Sequence, residues 1–177
     1  MRASDVRDRS TGLPTRPTLL ADLADADDAA TLVVCRIDEP EAIIDGHGAP
    51  VLERVVVALA LLLKGTFGTD VKVYRTSTQC VAMFLPRLPA RQVAQQMRKV
   101  QARVAPEYEY ERHGVTRRVV FTFSSVLMTS AGKTPDDAVD ALTRAEARAE
   151  SLAGLSQLEV EASGLGRLVG WLSSTGL

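Results

Sequence analysis

Aromatic residues make up only 5% of this 177-residue chain, with two cysteines, two histidines and a single tryptophan. The cysteines, Cys35 and Cys80, stand in apolar strand-like runs without CxxC spacing. That excludes a zinc ribbon or a disulfide framework and leaves buried thiols of a reducing cytosol as the expectation. An excess of charge is also missing. Lysine and arginine (21) balance aspartate and glutamate (22) to a net charge of −1, so the chain has no global basic field of the kind that holds nucleic acid. Long hydrophobic runs are absent too. The most apolar stretch, residues 55–63, falls far short of the roughly 20 residues a membrane span needs. The leading MRASDVRDRS lacks the apolar segment of a secretory signal. Together these absences point to a soluble cytoplasmic protein with no nucleic-acid partner and no membrane span, one domain with appendages.

What is present is an alternation of helix and strand patterns. PTLLADLADA, from Pro17, reads as a short amphipathic helix opened by proline. ATLVVCRI, apolar without interruption, reads as a central strand buried on both faces. After a polar corner, APVLERVVVALALLLKG reads as a helix that stops at Lys64 and Gly65. Residues 70–75 and 81–85 flank a small polar turn as a hairpin. PARQVAQQMRKVQARV puts Val93, Met97, Val100 and Val104 on one helical stripe, with Arg91, Arg98, Lys99 and Arg103 largely away from it. RRVVFTFSSVLM reads as a strand after a turn at Gly114. TPDDAVDALTRAEARAESLAG reads as a helix capped by Thr134, with Pro135 at its first position and acids in its first turn. LSQLEVEA can add a last edge strand. The order α, β, α, β-hairpin, α, β, α, β implies an α/β (α+β) domain, a mixed sheet with helices packed on it. By itself it implies no function.

Residues 8–16, DRSTGLPTR, resemble the DxLTGLPNR motif of the GGDEF domain, the catalytic module of diguanylate cyclases, with Ser10 and Thr15 as departures. VVCRIDEPEAIIDGHG resembles that family's lllDiDxFKxiNDxyGH, and YRTSTQCVAMFLP resembles aRyGGDEFaillp. FTFSSVLM resembles vTvSiGva, and the final helix with LSQLEV resembles ADxALYxAKxxGRNxv. The resemblance spans residues 8–161. It implies a GGDEF/nucleotidyl-cyclase-like fold, a central mixed sheet with helices around it, for a domain over residues 1–161.

On this register Ser77, Thr78, Gln79, Cys80 and Val81 stand in place of Gly-Gly-Asp-Glu-Phe. The family's two magnesium carboxylates fall at Arg36 and Gln79. A guanidinium repels a divalent cation, and an amide is an uncharged substitute for a hard oxygen ligand. Ser77 and Thr78 add Cβ atoms where glycines let the nucleotide approach the backbone, and Cys80 replaces the second acid. The guanine-reading pair corresponds to Ile44, which cannot hydrogen-bond a base, and Glu53, which can. The phosphate-binding lysine and arginine correspond to Ala153 and Gln157, and the lysine of FK to Glu41. The family's product-binding RxxD would fall in TFGTD, which holds Asp70, shifted by one, and no arginine. The resemblance therefore implies a chain that is not an enzyme and holds no metal or cofactor. Asp38, Asp45 and Arg75 survive. For Asp38 and Asp45 the residues alone suggest solvated turn or capping acids. Arg36 can pair with Asp38 or Glu41, or bind an anion at the strand end. Cys80 reads as an inert strand thiol, and Arg112, His113, Arg117 and Arg118 as a solvated hairpin or an anion patch.

Residues 162–177 lie beyond the resemblance. Leu165, Leu168, Val169 and Leu172 recur there at helical spacing around Trp171. Such an amphipathic helical tail either docks on its own domain or serves a protein partner or homodimer. With Arg167 its only cation, membrane attachment is the weakest option. The expected function is a catalytically inactive GGDEF-like domain, a regulatory or scaffolding protein-interaction module in bacterial signalling. The alternative is a non-catalytic receptor for cyclic di-GMP or a guanine nucleotide.

Overall fold

Seven consecutive buried residues, Thr31–Ile37, form the strand from which the sheet extends in both directions. The computed structural model describes residues 6–25, 31–86, 88–102, 106–129, 135–152, 154–155 and 157–161. In chain order its elements are α1 (Arg16–Ala24), β1 (Thr31–Ile37), α2 (Pro40–His47), α3 (Ala49–Phe67), β2 (Val73–Arg75), β3 (Cys80–Leu85), α4 (Ala90–Gln101), β4 (Glu107–Arg112), β5 (Val115–Val120), β6 (Phe123–Thr129), α5 (Pro135–Ser151) and β7 (Leu158–Glu161). The five-stranded sheet runs β2-β3-β1-β6-β7. β1 is antiparallel to β3 and β6, while β7 joins β6 in parallel as the edge strand that the pattern predicts.

Strand alternation divides the core into two halves. Leu32 and Val34 point to the face covered by α1 and α5, where Leu19, Leu23, Leu142 and the alanines at 138, 141, 145 and 149 pack. Those small side chains let α5 lie close over the sheet. Val33, Cys35 and Ile37 point the other way, against α3, α4 and the β4–β5 hairpin. Burial of these apolar side chains, more of them on the α3 side than on the α5 side, is the main favourable term for such a domain.

Three elements differ from expectation. The polar corner after β1 is a helix, α2, which starts abruptly at Pro40 because Glu39 takes a left-handed conformation (φ 49°). α3 does not stop at Gly65: it continues to Phe67, whose ring packs against the core, and ends at Gly68 (φ 115°). The long strand expected from RRVVFTFSSVLM is two. The chain leaves β5 at Phe121 and Thr122 and enters the main sheet as β6, and the Asp38 N–H donates to the Thr122 carbonyl at 2.9 Å at the crossing point. β5 pairs instead with β4 across the His113-Gly114 turn, both residues with positive φ (54° and 74°), the geometry of a two-residue hairpin. Arg118 there pairs with Glu107 and Glu109, which favours the solvated-hairpin reading of that basic cluster.

Cys35 and Cys80 are buried and unpaired. Burial pushes the Cys35 thiol up to about 12, so it stays protonated and inert. No described helix is long and apolar enough to cross a membrane. Val104, Thr134, Ala153 and the tail residues Leu165, Leu168, Val169, Trp171 and Leu172 lie outside the described residues.

Candidate functional site

The sequence DRSTGLP folds into a tight turn on its own first carboxylate. Asp8 accepts hydrogen bonds from the Thr11 N–H at 2.9 Å and the Thr11 hydroxyl at 2.7 Å, and Gly12 (φ 70°) closes the turn with its N–H on the Asp8 carbonyl at 2.8 Å. A side chain at position 12 would be strained in that conformation. The turn is tied to the end of β2 by the Arg75 N–H, which donates to the Pro14 carbonyl at 2.7 Å.

Arg75 then organises everything around it. Its Nη1 pairs with Asp8 Oδ1 at 2.8 Å and with Glu53 Oε2, and its Nη2 reaches Glu53 Oε1 at 2.9 Å, a two-pronged grip on the α3 carboxylate. The Ser10 hydroxyl lies between the two acids, 2.7 Å from Asp8 and 2.6 Å from Glu53. The remaining Arg75 donors turn back on the signature segment: Nε meets the Ser77 carbonyl at 3.1 Å and Nη2 the Thr78 carbonyl at 3.3 Å. The guanidinium hydrogen bond outweighs burial and lowers the Glu53 pKa. Burial would raise Asp8, but hydrogen bonds from Ser10, Thr11 and Arg75 hold it well below the usual carboxylate range. The cluster walls an open cleft of about 420 Å³, completed by Thr15, Arg16 and Thr76.

Arg36 and Gln79 are neighbours along the backbone only: the Ile37 N–H donates to the Gln79 carbonyl at 2.9 Å and Arg36 faces Cys80 across the β1–β3 register. These side chains do not fit a hard divalent cation: one is a fixed positive charge and the other a neutral amide. Among the described residues, no group of three or more His, Cys, Asp or Glu side chains could hold a metal ion. Ser77 and Thr78 are exposed at the cleft. Glu53 is held by Arg75, and Ile44 is 38% exposed on α2. Glu41, Asp45, Asp70 and Gln157 are exposed. Cys80 is buried, and its thiol pKa is raised by that burial against a hydrogen bond from Ser77.

Two expectations need correction. Asp38 is no solvated acid but 3% exposed. Its carboxylate accepts from the Thr122 hydroxyl at 2.9 Å and the Gly154 N–H at 3.0 Å, with the Ser124 hydroxyl 3.0 Å away and shared with the Leu152 carbonyl at 2.8 Å. Asp38 therefore joins the end of β1 to the chain leaving α5. With Asp38 so occupied and Glu41 in solvent, the expected Arg36 salt bridge does not form. Arg36 is 7% exposed, its Nη1 reaches only the Ile37 carbonyl at 3.4 Å, and its Nε has no partner. The residues missed from sequence are Arg16 and Glu146, paired at 3.3 Å across α1 and α5. They are 130 positions apart, and no local pattern links them.

No family model matches the chain, and no curated protein matches it. Solved structures do. The GGDEF domain of FimX from Pseudomonas aeruginosa aligns over 89% of this chain and 99% of its own with a TM-score of 0.66 at 18% identity. The GGDEF domain of DgcB from Caulobacter crescentus, in complex with c-di-GMP, aligns over 90% and 95% with a TM-score of 0.71 at 19% identity. The diguanylate cyclase SiaD from Pseudomonas aeruginosa, in complex with its activator SiaC, gives 0.72 at 20% identity, over 90% of this chain and 63% of its own. The chain has the fold of a GGDEF domain.

Proposed function

We propose that this domain is catalytically inactive and works as a regulatory or scaffolding protein-interaction module in bacterial signalling, in the cytoplasm. The observation that carries this reading is the Arg75 grip on Glu53. The only carboxylate left at the family's guanine-reading positions is engaged by an arginine and a serine of its own domain. Arg36 and Gln79, at the positions of the metal carboxylates, support it further. Metal coordination both neutralises phosphate charge and activates the attacking hydroxyl, and neither side chain can replace that. The buried free thiols fit a reducing compartment. That SiaD binds a protein activator illustrates how a domain of this fold can act through protein contacts.

Restoring one ligand does not restore a site. Gln79→Asp alone is expected to yield no cyclic di-GMP from GTP and magnesium, because the Arg36 charge remains where the second carboxylate would be. Product from that variant would refute the reading of both positions.

The second reading, a receptor for cyclic di-GMP, is favoured by relatives of the same fold solved with that nucleotide, DgcB among them. Calorimetric titration of the chain with cyclic di-GMP separates the two. A flat titration of folded protein is the expected result, and saturable binding at micromolar affinity would establish the receptor.

A further inference from the structure

β7 closes one side of the main sheet, and among the described residues no strand lies beyond it. Alternation sends Leu158 and Val160 to the α3–α4 half of the core and Glu159 to the other side, where it meets Arg148 of α5 at 2.8 Å. Leu158 packs on that core, yet Val160, two residues on, stays 36% exposed. The reason lies on α4. Gln101 donates from its Nε2 to the Gln157 carbonyl at 3.1 Å, which turns its side of the helix toward β7. Ala94 and Ala90 continue that line at seven- and four-residue steps, and their methyl groups leave the strand edge open. Among the described residues, the other large exposed apolar side chains lie on α2, α3, β5, α5 and the N-terminal segment, apart from Leu155 in the turn that leads into β7. The one on α5, Val139, stands a turn before Thr143, which accepts from Arg16 at 3.3 Å and so faces α1.

Glu161, at the end of β7, leads directly into residues 162–177. Ser163-Gly164 is a turn pair. Beyond it Leu165, Leu168, Val169 and Leu172 share one helical face by their spacing, with Trp171 beside Leu168. Residues 162–164 span about 10 Å at most and a helix over 165–172 about 12 Å, so the stripe needs its cover within roughly 20 Å of Glu161. β7 itself rises about 13 Å from end to end, close to the length of the stripe. We infer that residues 162–177 fold back after Glu161 and lay this apolar face along the β7 edge, over Val160 and beside Ala90 and Ala94 of α4. The occupant is the chain's own segment, because its tether holds it at high effective concentration against an apolar gap that borders its point of origin. The inference stands apart from the protein-interaction reading, and it removes the Trp171 stripe from the surfaces open to a partner.

Trp171 is the chain's single tryptophan, so its fluorescence reports this segment alone. In the folded full chain its emission maximum is expected to the blue of free tryptophan, with slowed quenching by acrylamide. Both should be independent of protein concentration, at a light-scattering mass near 19.1 kDa. Val160→Glu puts a charge under the stripe and should move the emission to the position of free tryptophan. Because Val160 is at the surface, circular dichroism and the melting curve of that variant should remain those of a folded domain. Leu168→Glu, outside the described residues, should give the same shift with no demand on the packing of the domain. Val120→Glu, at an exposed valine of β5, should leave the emission unchanged. Wild-type emission at the free-tryptophan position would overturn the assignment. So would a protected Trp171 that ignores Val160→Glu or responds equally to Val120→Glu. Protection that fades on dilution, with a dimer mass at high concentration, would give the segment to a second copy of the chain and refute docking on its own β7.

Discussion

Replacing Asp38 with alanine is expected to lower the stability of the domain by about 3–5 kcal/mol, the range for removing a buried charged hydrogen-bond acceptor and leaving its partners unsatisfied. For a chain of this length that is a fall of roughly 10–15 °C in the melting midpoint. The Asp38 carboxylate is buried and serves the Thr122 hydroxyl and the Gly154 N–H, with Ser124 between it and the Leu152 carbonyl. Alanine strands donors on β6, on the segment before it and after α5 at once. Asp38→Asn keeps one acceptor oxygen, and the Thr122 hydroxyl can turn to accept from the amide, so about half the loss is expected. Asp45→Ala, on the exposed side of α2, should stay within about 0.5 kcal/mol of wild type. Urea titrations of the three variants check the ranking, and equal effects of the Asp38 and Asp45 substitutions would rule out the buried tie.

The second large effect belongs to Arg75. Arg75→Met removes the partner of two carboxylates and the donors that hold the Ser77 and Thr78 carbonyls. The arginine side chain is 10% exposed and each acid 28%. The cost therefore lies between that of a surface pair and a fully buried one, about 2–3 kcal/mol. The loss has a pH signature. Asp8 and Glu53 both have folded pKa values below their ordinary ones. Their stabilisation is therefore complete above the unfolded carboxylate values of about 4 and is lost as pH falls through the lower folded values. Wild-type stability should decline steeply below pH ~4, and Arg75→Met, starting lower, should decline along a shallower limb. Parallel acid limbs for the two proteins would mean that Arg75 does not hold these carboxylates.

The sequence told more about the scaffold than about its junctions. β1 could be read because seven residues in a row are buried on both faces, and the stripe of Val93, Met97 and Val100 on α4 because each falls in one core half. The β4–β5 hairpin left a signal in the alternation EYEYER, where Tyr110 is buried and the glutamates are exposed, but its charge hid the period. α2 was obscured by Glu39, whose left-handed backbone is set by the neighbouring elements rather than by its own preference. In the site, the resemblance singled out Arg36, Gln79 and Arg75, and the fold sets Arg36 opposite Cys80 on β3 and Arg75 at the end of β2 against Glu53. It could not show that Asp38 is consumed by β6, that Arg36 is left without its salt bridge, or that Glu146 arrives from α5. Those facts depend on which buried polar group is satisfied by which distant one, a property of tertiary packing rather than of local pattern.

Inactivity is tested most directly by incubating the purified chain with GTP and magnesium and resolving the nucleotides by chromatography. With Arg36 and Gln79 where the resemblance puts the family's metal carboxylates, and Glu53 locked to Arg75, GTP is expected to remain unconverted at the level of a protein-free control. Cyclic di-GMP accumulating in proportion to protein concentration would contradict the account, and would mean that the cleft opens by releasing Glu53.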